Sequence, residues 1–166
     1  MNFERREQEL YEEEFSWDNS LENSDRAQVL TEEKLKELGW PEDQAFAFSV
    51  AVKEAVDNAI VHGNLQLNRK DDAENYDKHI TEAQEVNKDK HVKVWLRFSK
   101  EDATVQIKDE GAYVPDQLPD PTASEHLLEG SGRGLWMIFK NVDNVEFSPG
   151  EVILHKQRKD NEDELR

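Results

Sequence analysis

The chain has 166 residues, enough for one domain with a sizeable core, and a formal charge of −17, which argues against direct binding of nucleic acid or anionic membranes and leaves room for a basic protein partner. It has no cysteine, hence neither a disulfide framework nor a thiolate metal site. No apolar run approaches the ~20 residues that span a bilayer, and the opening residues lack the apolar stretch of a signal peptide, so the expected address is the cytoplasm.

Residues 1–14, dominated by Glu and Arg, read as a solvated arm or a short helix that needs a partner. Glu14–Asp18 fits a first edge strand. A helix is expected from a cap at Ser20 or Asn23 to about Leu38, with Leu21, Ala27, Val29, Leu30, Leu35 and Leu38 as apolar positions and Gly39 as its stop. Pro41 suits the first turn of a second helix, and Glu42 and Asp43 complement its dipole. Phe46, Val50, Val52, Val56 and Ile60 carry that helix to a stop at Gly63, and its apolar circumference predicts burial.

Within this helix Glu54 and Asn58 are four residues apart, which puts both side chains on one face, one turn from each other. A buried carboxylate is costly unless something compensates it, so Glu54 needs a reason to be there. A carboxylate can take a proton from a nucleophile. A carboxamide oxygen is a hard neutral ligand, suited to a Mg²⁺ ion that keeps several waters and shares phosphate oxygens. His62, one turn further on, is expected to cap the helix end.

Residues 64–90 are polar, with one helical pattern over Ala73–Val86, and read as a solvated spacer. His91–Ser99 and Ala103–Asp109 alternate apolar and polar residues across a short gap, the mark of a hairpin. Asp109 ends the second strand, with Gly111 just beyond. Residues 112–131 form a proline-rich irregular connection that runs into Gly130, Gly132 and Gly134. A helix from Leu135 to about Val142 follows, and its free N-terminal amides suit a phosphate. Val145–Phe147 and Glu151–His155 make a second hairpin around Ser148-Pro149-Gly150, and 159–166 is a frayed charged tail. The pattern is a single α+β domain over 1–166, with helices on one face of a mostly antiparallel sheet. A P-loop is absent from the sequence.

Each motif alone is commonplace; their order carries the signal. Glu54-x-x-x-Asn58, Asp109-x-Gly111, and Gly130-x-Gly132-x-Gly134-Leu135-Trp136-Met137-Ile138 together resemble the Bergerat-type (GHKL) ATP-binding domain of gyrase, heat-shock chaperones, sensor histidine kinases and mismatch-repair proteins. The stretch from Ser131 to Ile138, with Val142-Asp-Asn-Val after it, is similar to the bacterial anti-sigma-factor serine kinases, and the likeness covers about 21–157. It implies a two-layer sandwich, a mostly antiparallel mixed sheet with helices on one face, and an ATP lid over 110–134. It implies ATP and Mg²⁺ as cofactors. Glu54 would polarise the attacking group, Asn58 would hold Mg²⁺ between the phosphates, and Asp109 would accept from the adenine amino group. Gly111 would admit the base, and Gly130, Gly132 and Gly134 would cradle the phosphates, with Arg133 near the terminal one. Position 113, often glycine in the family, is Tyr113 and is expected to pack the lid. Lys140 is expected to favour a helix C-terminus, and Trp40, Trp95 and Trp136 to serve packing.

The implied activity is a regulatory serine/threonine kinase, with a small anti-sigma antagonist as substrate, a sigma factor as a second partner, and homodimerisation through the N-terminal strand and helix. Three rival readings stand beside it. They are an ATP-binding module without transfer, a slow ATPase within a larger assembly, and a detached histidine-kinase ATPase domain. Neither a transducer domain nor a phosphoacceptor helix is expected to flank the chain, which counts against the last two.

Overall fold

The computed structural model describes residues 10–68, 74–116, 118 and 132–160. Its strands are β1 (Leu10–Trp17), β2 (Val92–Ser99), β3 (Asp102–Lys108), β4 (Asn144–Ser148) and β5 (Glu151–Gln157). They form one sheet in the order β1-β2-β3-β5-β4, and each pairing is antiparallel. The helices are α1 (Glu22–Glu37), α2 (Glu42–Asn58), α3 (Tyr76–Val86) and α4 (Gly132–Asn141).

The two-residue period of β2 sends Val92, Val94, Leu96 and Phe98 to one face, where all four are buried. Ala103, Val105 and Ile107 of β3 and Val152 and Leu154 of β5 extend that face. It is covered by Ala27 and Leu35 of α1, Phe48, Val52, Ala55 and Val56 of α2, and Leu135 and Ile138 of α4. Phe48 meets Phe98 edge-on, with ring centres 6.3 Å apart. The result is the two-layer α+β sandwich that the helix and strand patterns predict.

Several elements differ from the expectation. Leu10–Glu14 belong to β1, not to a solvated arm, and pair with β2 from Leu10↔Ser99 to Trp17↔Val92. Cross-strand partners outweigh the acidic local composition here: Arg97 Nε lies 3.8 Å from Glu12, and the Trp95 indole N–H donates to Glu12 at 3.3 Å. Val29 and Phe46 are 54% and 52% exposed, although both were expected inside. The buried stripe of α1 runs through Ser24, Ala27, Thr31 and Leu35, and that of α2 through Ala45, Phe48, Val52 and Val56; Val29 and Phe46 fall off them.

The second helix does not run as an α-helix to Gly63. From Ala59 to Asn64 it widens into a π-helix, closed by the Leu65 N–H donating to the Ile60 carbonyl at 2.8 Å. Within the expected spacer, α3 forms at Tyr76–Val86 and buries Ile80. Helix α4 begins at Gly132, ahead of the expected Leu135. The chain is held as far as Lys159, whose backbone N–H and carbonyl both bond the Gln44 side chain, at 2.8 and 2.6 Å. Residues 161–166 of the expected frayed tail, like residues 1–9 of the expected arm, lie outside the described residues.

Candidate functional site

Glu54 and Asn58 lie on the last turns of α2, and both are half-buried. The first turn of α4 closes over them. A Cβ added at Gly134 would stand 2.9 Å from Glu54 Oε2 and 3.9 Å from Asn58 Oδ1. A proton acceptor, a carboxamide and the amides of a helix N-terminus therefore share one small space. Asn58 Nδ2 is buried and has no partner among the described residues. Leaving such a donor unpaired costs about 1–3 kcal/mol, so this atom marks a place that a ligand would complete.

Asp109 follows β3 directly. Its Oδ1 accepts the backbone N–H of Gly111 at 2.8 Å and of Tyr113 at 3.4 Å, and its own N–H donates to the Gly150 carbonyl at 2.9 Å. Burial pushes its carboxyl above the ordinary range, while the Gly111, Tyr113 and Ala112 amides pull the other way. The opposite wall is backbone. A Cβ at Gly63 would lie 2.5 Å from Asp109 Cγ and 2.8 Å from Asp109 Oδ2, and one at Gly111 would overlap the Gly63 carbonyl. Glycine at 63 and 111 is what lets the π-helix and the Asp109 loop touch.

Asn64 locks that approach. It is fully buried, its Nδ2 donates to Asn19 Oδ1 at 2.8 Å, and its Oδ1 accepts the Glu110 N–H at 2.7 Å. Asn19 Nδ2 in turn donates to the Asn87 and Lys90 carbonyls, at 3.0 and 3.2 Å. One buried side chain thus ties the end of the π-helix to the loop after β3 and, through Asn19, to the loop before β2.

A cleft opens between these elements. Ala55, Asn58 and Ala59 line it from the helix, Ile107 and Val152 from the sheet, and Asp109 and Tyr113 from the loop. Small side chains at Ala55 and Ala59, one turn apart, line it from the helix, and the space between is narrow, about 10 Å³, the room of a single water. The Tyr113 ring stacks on His62, with centres 5.3 Å apart and planes 27° from parallel. His62 is not the helix cap that was expected; its Nδ1 bonds the Leu67 carbonyl at 2.7 Å, beyond the π-helix.

Of the residues singled out in the sequence, Glu54, Asn58 and Gly134 meet, Asp109 and Gly111 meet, and Asn58 and Asp109 both line the cleft. Gly132 and exposed Arg133 lie in the first turn of α4 beside Gly134. Gly130 lies outside the described residues. Gly63 and Asn64 were missed as site residues; the run His62-Gly63-Asn64 after Asn58 was the available signal. Lys140 sits with its ammonium 4.7 Å from the centre of the Trp136 ring, and the Trp40 indole N–H donates to the Ser99 carbonyl at 2.8 Å.

Among the described residues there is no group of three or more His, Asp and Glu that could hold a metal by itself. The donor set fits a hard ion that takes one carboxamide and draws its other oxygens from phosphate and water, the habit of Mg²⁺. No described helix is long and apolar enough to cross a membrane. No curated protein matches the chain. The family model of the histidine kinase-like ATPase domain matches residues 19–156, a span that contains Glu54, Asn58, Asp109 and Gly134, so the chain belongs to that family of ATP-binding domains, within the GHKL superfamily.

Proposed function

We propose that this protein is an ATP-dependent regulatory serine/threonine kinase of the anti-sigma-factor type. In this reading it phosphorylates a small antagonist protein and also sequesters a sigma factor, the phosphorylation state of the antagonist deciding which partner is held. The observation that carries the reading is the meeting of Glu54, Asn58 and Gly134, with the α4 N-terminus over a carboxylate and a carboxamide. Asp109 accepts from the adenine amino group, and the close contact of Gly63 with Gly111 holds the Asp109 loop against the π-helix. Asn58 would hold Mg²⁺, which would neutralise phosphate charge. The amides of Gly132 to Gly134 bind phosphate oxygens, with Arg133 alongside. Glu54 accepts the proton of the attacking hydroxyl as the terminal phosphoryl passes to that oxygen and ADP leaves.

A histidine-kinase ATPase domain separated from its phosphoacceptor is the second reading, because the family match does not specify the acceptor. Incubation of the full chain with radiolabelled Mg·ATP and candidate antagonists separates the two. The kinase reading expects acid-stable label on a partner Ser or Thr, lost in Glu54→Gln by about a hundredfold or more while ATP binding persists. Acid-labile label on a histidine favours the second reading, and ATP binding without transfer to any partner contradicts both.

A further inference from the structure

Segments far apart in the chain meet at the buried pair Asn19 and Asn64, of which Asn19 is 4% exposed and Asn64 fully buried. Asn19 grips the end of α3 and the turn after it. Its Nδ2 donates to the Asn87 and Lys90 carbonyls, and its backbone carbonyl accepts Gln84 Nε2 at 2.9 Å. Asn87 Nδ2 in turn closes the last turn of α3 onto the Ala83 carbonyl at 2.8 Å. On its other side Asn19 Oδ1 accepts Asn64 Nδ2, and Asn64 Oδ1 accepts the Glu110 N–H.

These bonds run in one direction only. Backbone carbonyls can only accept, so the Asn19 amide nitrogen faces Asn87 and Lys90 and its oxygen faces Asn64. Asn64 then turns its nitrogen to Asn19 and its oxygen to the Glu110 N–H. Reversing either amide would set like groups against each other. Away from water such a chain is stiff, because any member left unpaired is costly. Its last bond lands on the peptide between Asp109 and Glu110, while the Asp109 N–H is held from the other side by the Gly150 carbonyl. Asn64 and Gly150 thus fix the backbone that carries the Asp109 carboxylate. A direct tie from the His91 N–H to Glu110 Oε2 lies at the surface, where water competes for it.

We propose that Asn19 is a positioning residue for Asp109: through Asn64 it transmits the seat of α3 to the carboxylate that reads the base, so that α3 helps to set the preference for an amino-bearing purine. Neither Asn19 nor Asn64 lines the cleft, so both act through Asp109. The inference rests on the nucleotide-site reading above. A scaffold role alone would affect every nucleotide alike, whereas positioning acts only on a base that brings an amino group to Asp109.

The test is equilibrium binding of ATP and of purine riboside triphosphate, which lacks only the amino group, each with magnesium, to the full chain carrying Asn19→Ala or Gln84→Ala. The wild type should prefer ATP by roughly tenfold, the worth of a hydrogen bond to a charged group. Asn19→Ala should shrink that preference to within about twofold by weakening ATP while the other probe binds as before. Gln84→Ala, which removes one grip of α3 on Asn19 and leaves both buried amides in place, should lower the preference by about threefold. Far-ultraviolet circular dichroism checks that each variant is folded; should Asn19→Ala not fold, Gln84→Ala carries the comparison. An unchanged preference in either folded variant overturns the proposal. So does an equal loss of both probes, which is what a scaffold role gives. A wild type that takes up neither probe overturns the nucleotide reading and this inference together, and one that takes up both equally overturns the base-reading role of Asp109 and this inference with it. A wild-type preference for ATP that survives Asn19→Ala overturns this inference alone.

Discussion

Asp109, the proposed reader of the base, is held at a cost to stability. Its carboxyl is pushed above the ordinary range by burial, so the folded chain holds that proton to higher pH than the unfolded chain does. The sign of the linkage follows: the cost of burying the charge is absent below the ordinary carboxylate range and sets in as pH rises through the raised value. Asp109→Asn keeps an oxygen for the Gly111 and Tyr113 amides and carries no charge. The variant and the wild type should therefore melt together in acid, and the variant should be the more stable at neutral pH. Asp57, also raised chiefly by burial, contributes the same trend to both proteins and cancels in the difference. The same variant should bind ATP roughly tenfold less tightly, since hydrogen bonds to charged groups are worth about 1.5–3 kcal/mol. Thermal melts across pH check the first outcome; a wild type more stable than Asp109→Asn at neutral pH would contradict it.

At the scale of elements, the π-helix Ala59–Asn64 is what assembles the site. It carries Gly63 to the Asp109 carboxylate and Asn64 to the Glu110 amide. Asn64→Ala would leave the Glu110 N–H and Asn19 Oδ1 without this partner in a buried setting, a loss on the order of 2 kcal/mol or more. Urea denaturation should show that loss; a shift of only a few tenths of a kcal/mol would mean that water replaces Asn64 freely. The sandwich itself was legible, because the alternation in β2 and β3 and the stripes of α1 and α2 are written in single residues such as Val94, Leu96 and Phe48. The spacing of Glu54, Asn58, Asp109 and Gly134 was legible for the same reason. The extra residue per turn after Asn58 was not, since it leaves no mark in hydrophobic period and depends on the loop it meets. Nor was β1 before Glu14, because its first residues are strand only through their partner β2. The His62–Tyr113 stack joins residues far apart in the chain, and only the fold brings them together.

Across the whole molecule the charge is −17, so the long-range field repels an anionic nucleotide. In the proposed reading binding is won locally, by the N-terminal amides of α4, by Asn58 with its unpartnered Nδ2, and by a cation that would cancel phosphate charge. The field also says that ATP alone should bind more weakly than ATP with magnesium, and that salt should narrow the gap by screening the repulsion. The acidic surface suits a basic partner face in turn, and its effect would be seen in the association rate. The most direct test of the nucleotide site is a calorimetric titration of ATP into the full chain with magnesium present. The account predicts saturable uptake of one ATP per chain, weaker by an order of magnitude or more when magnesium is chelated; the absence of uptake at millimolar ATP with magnesium would contradict it.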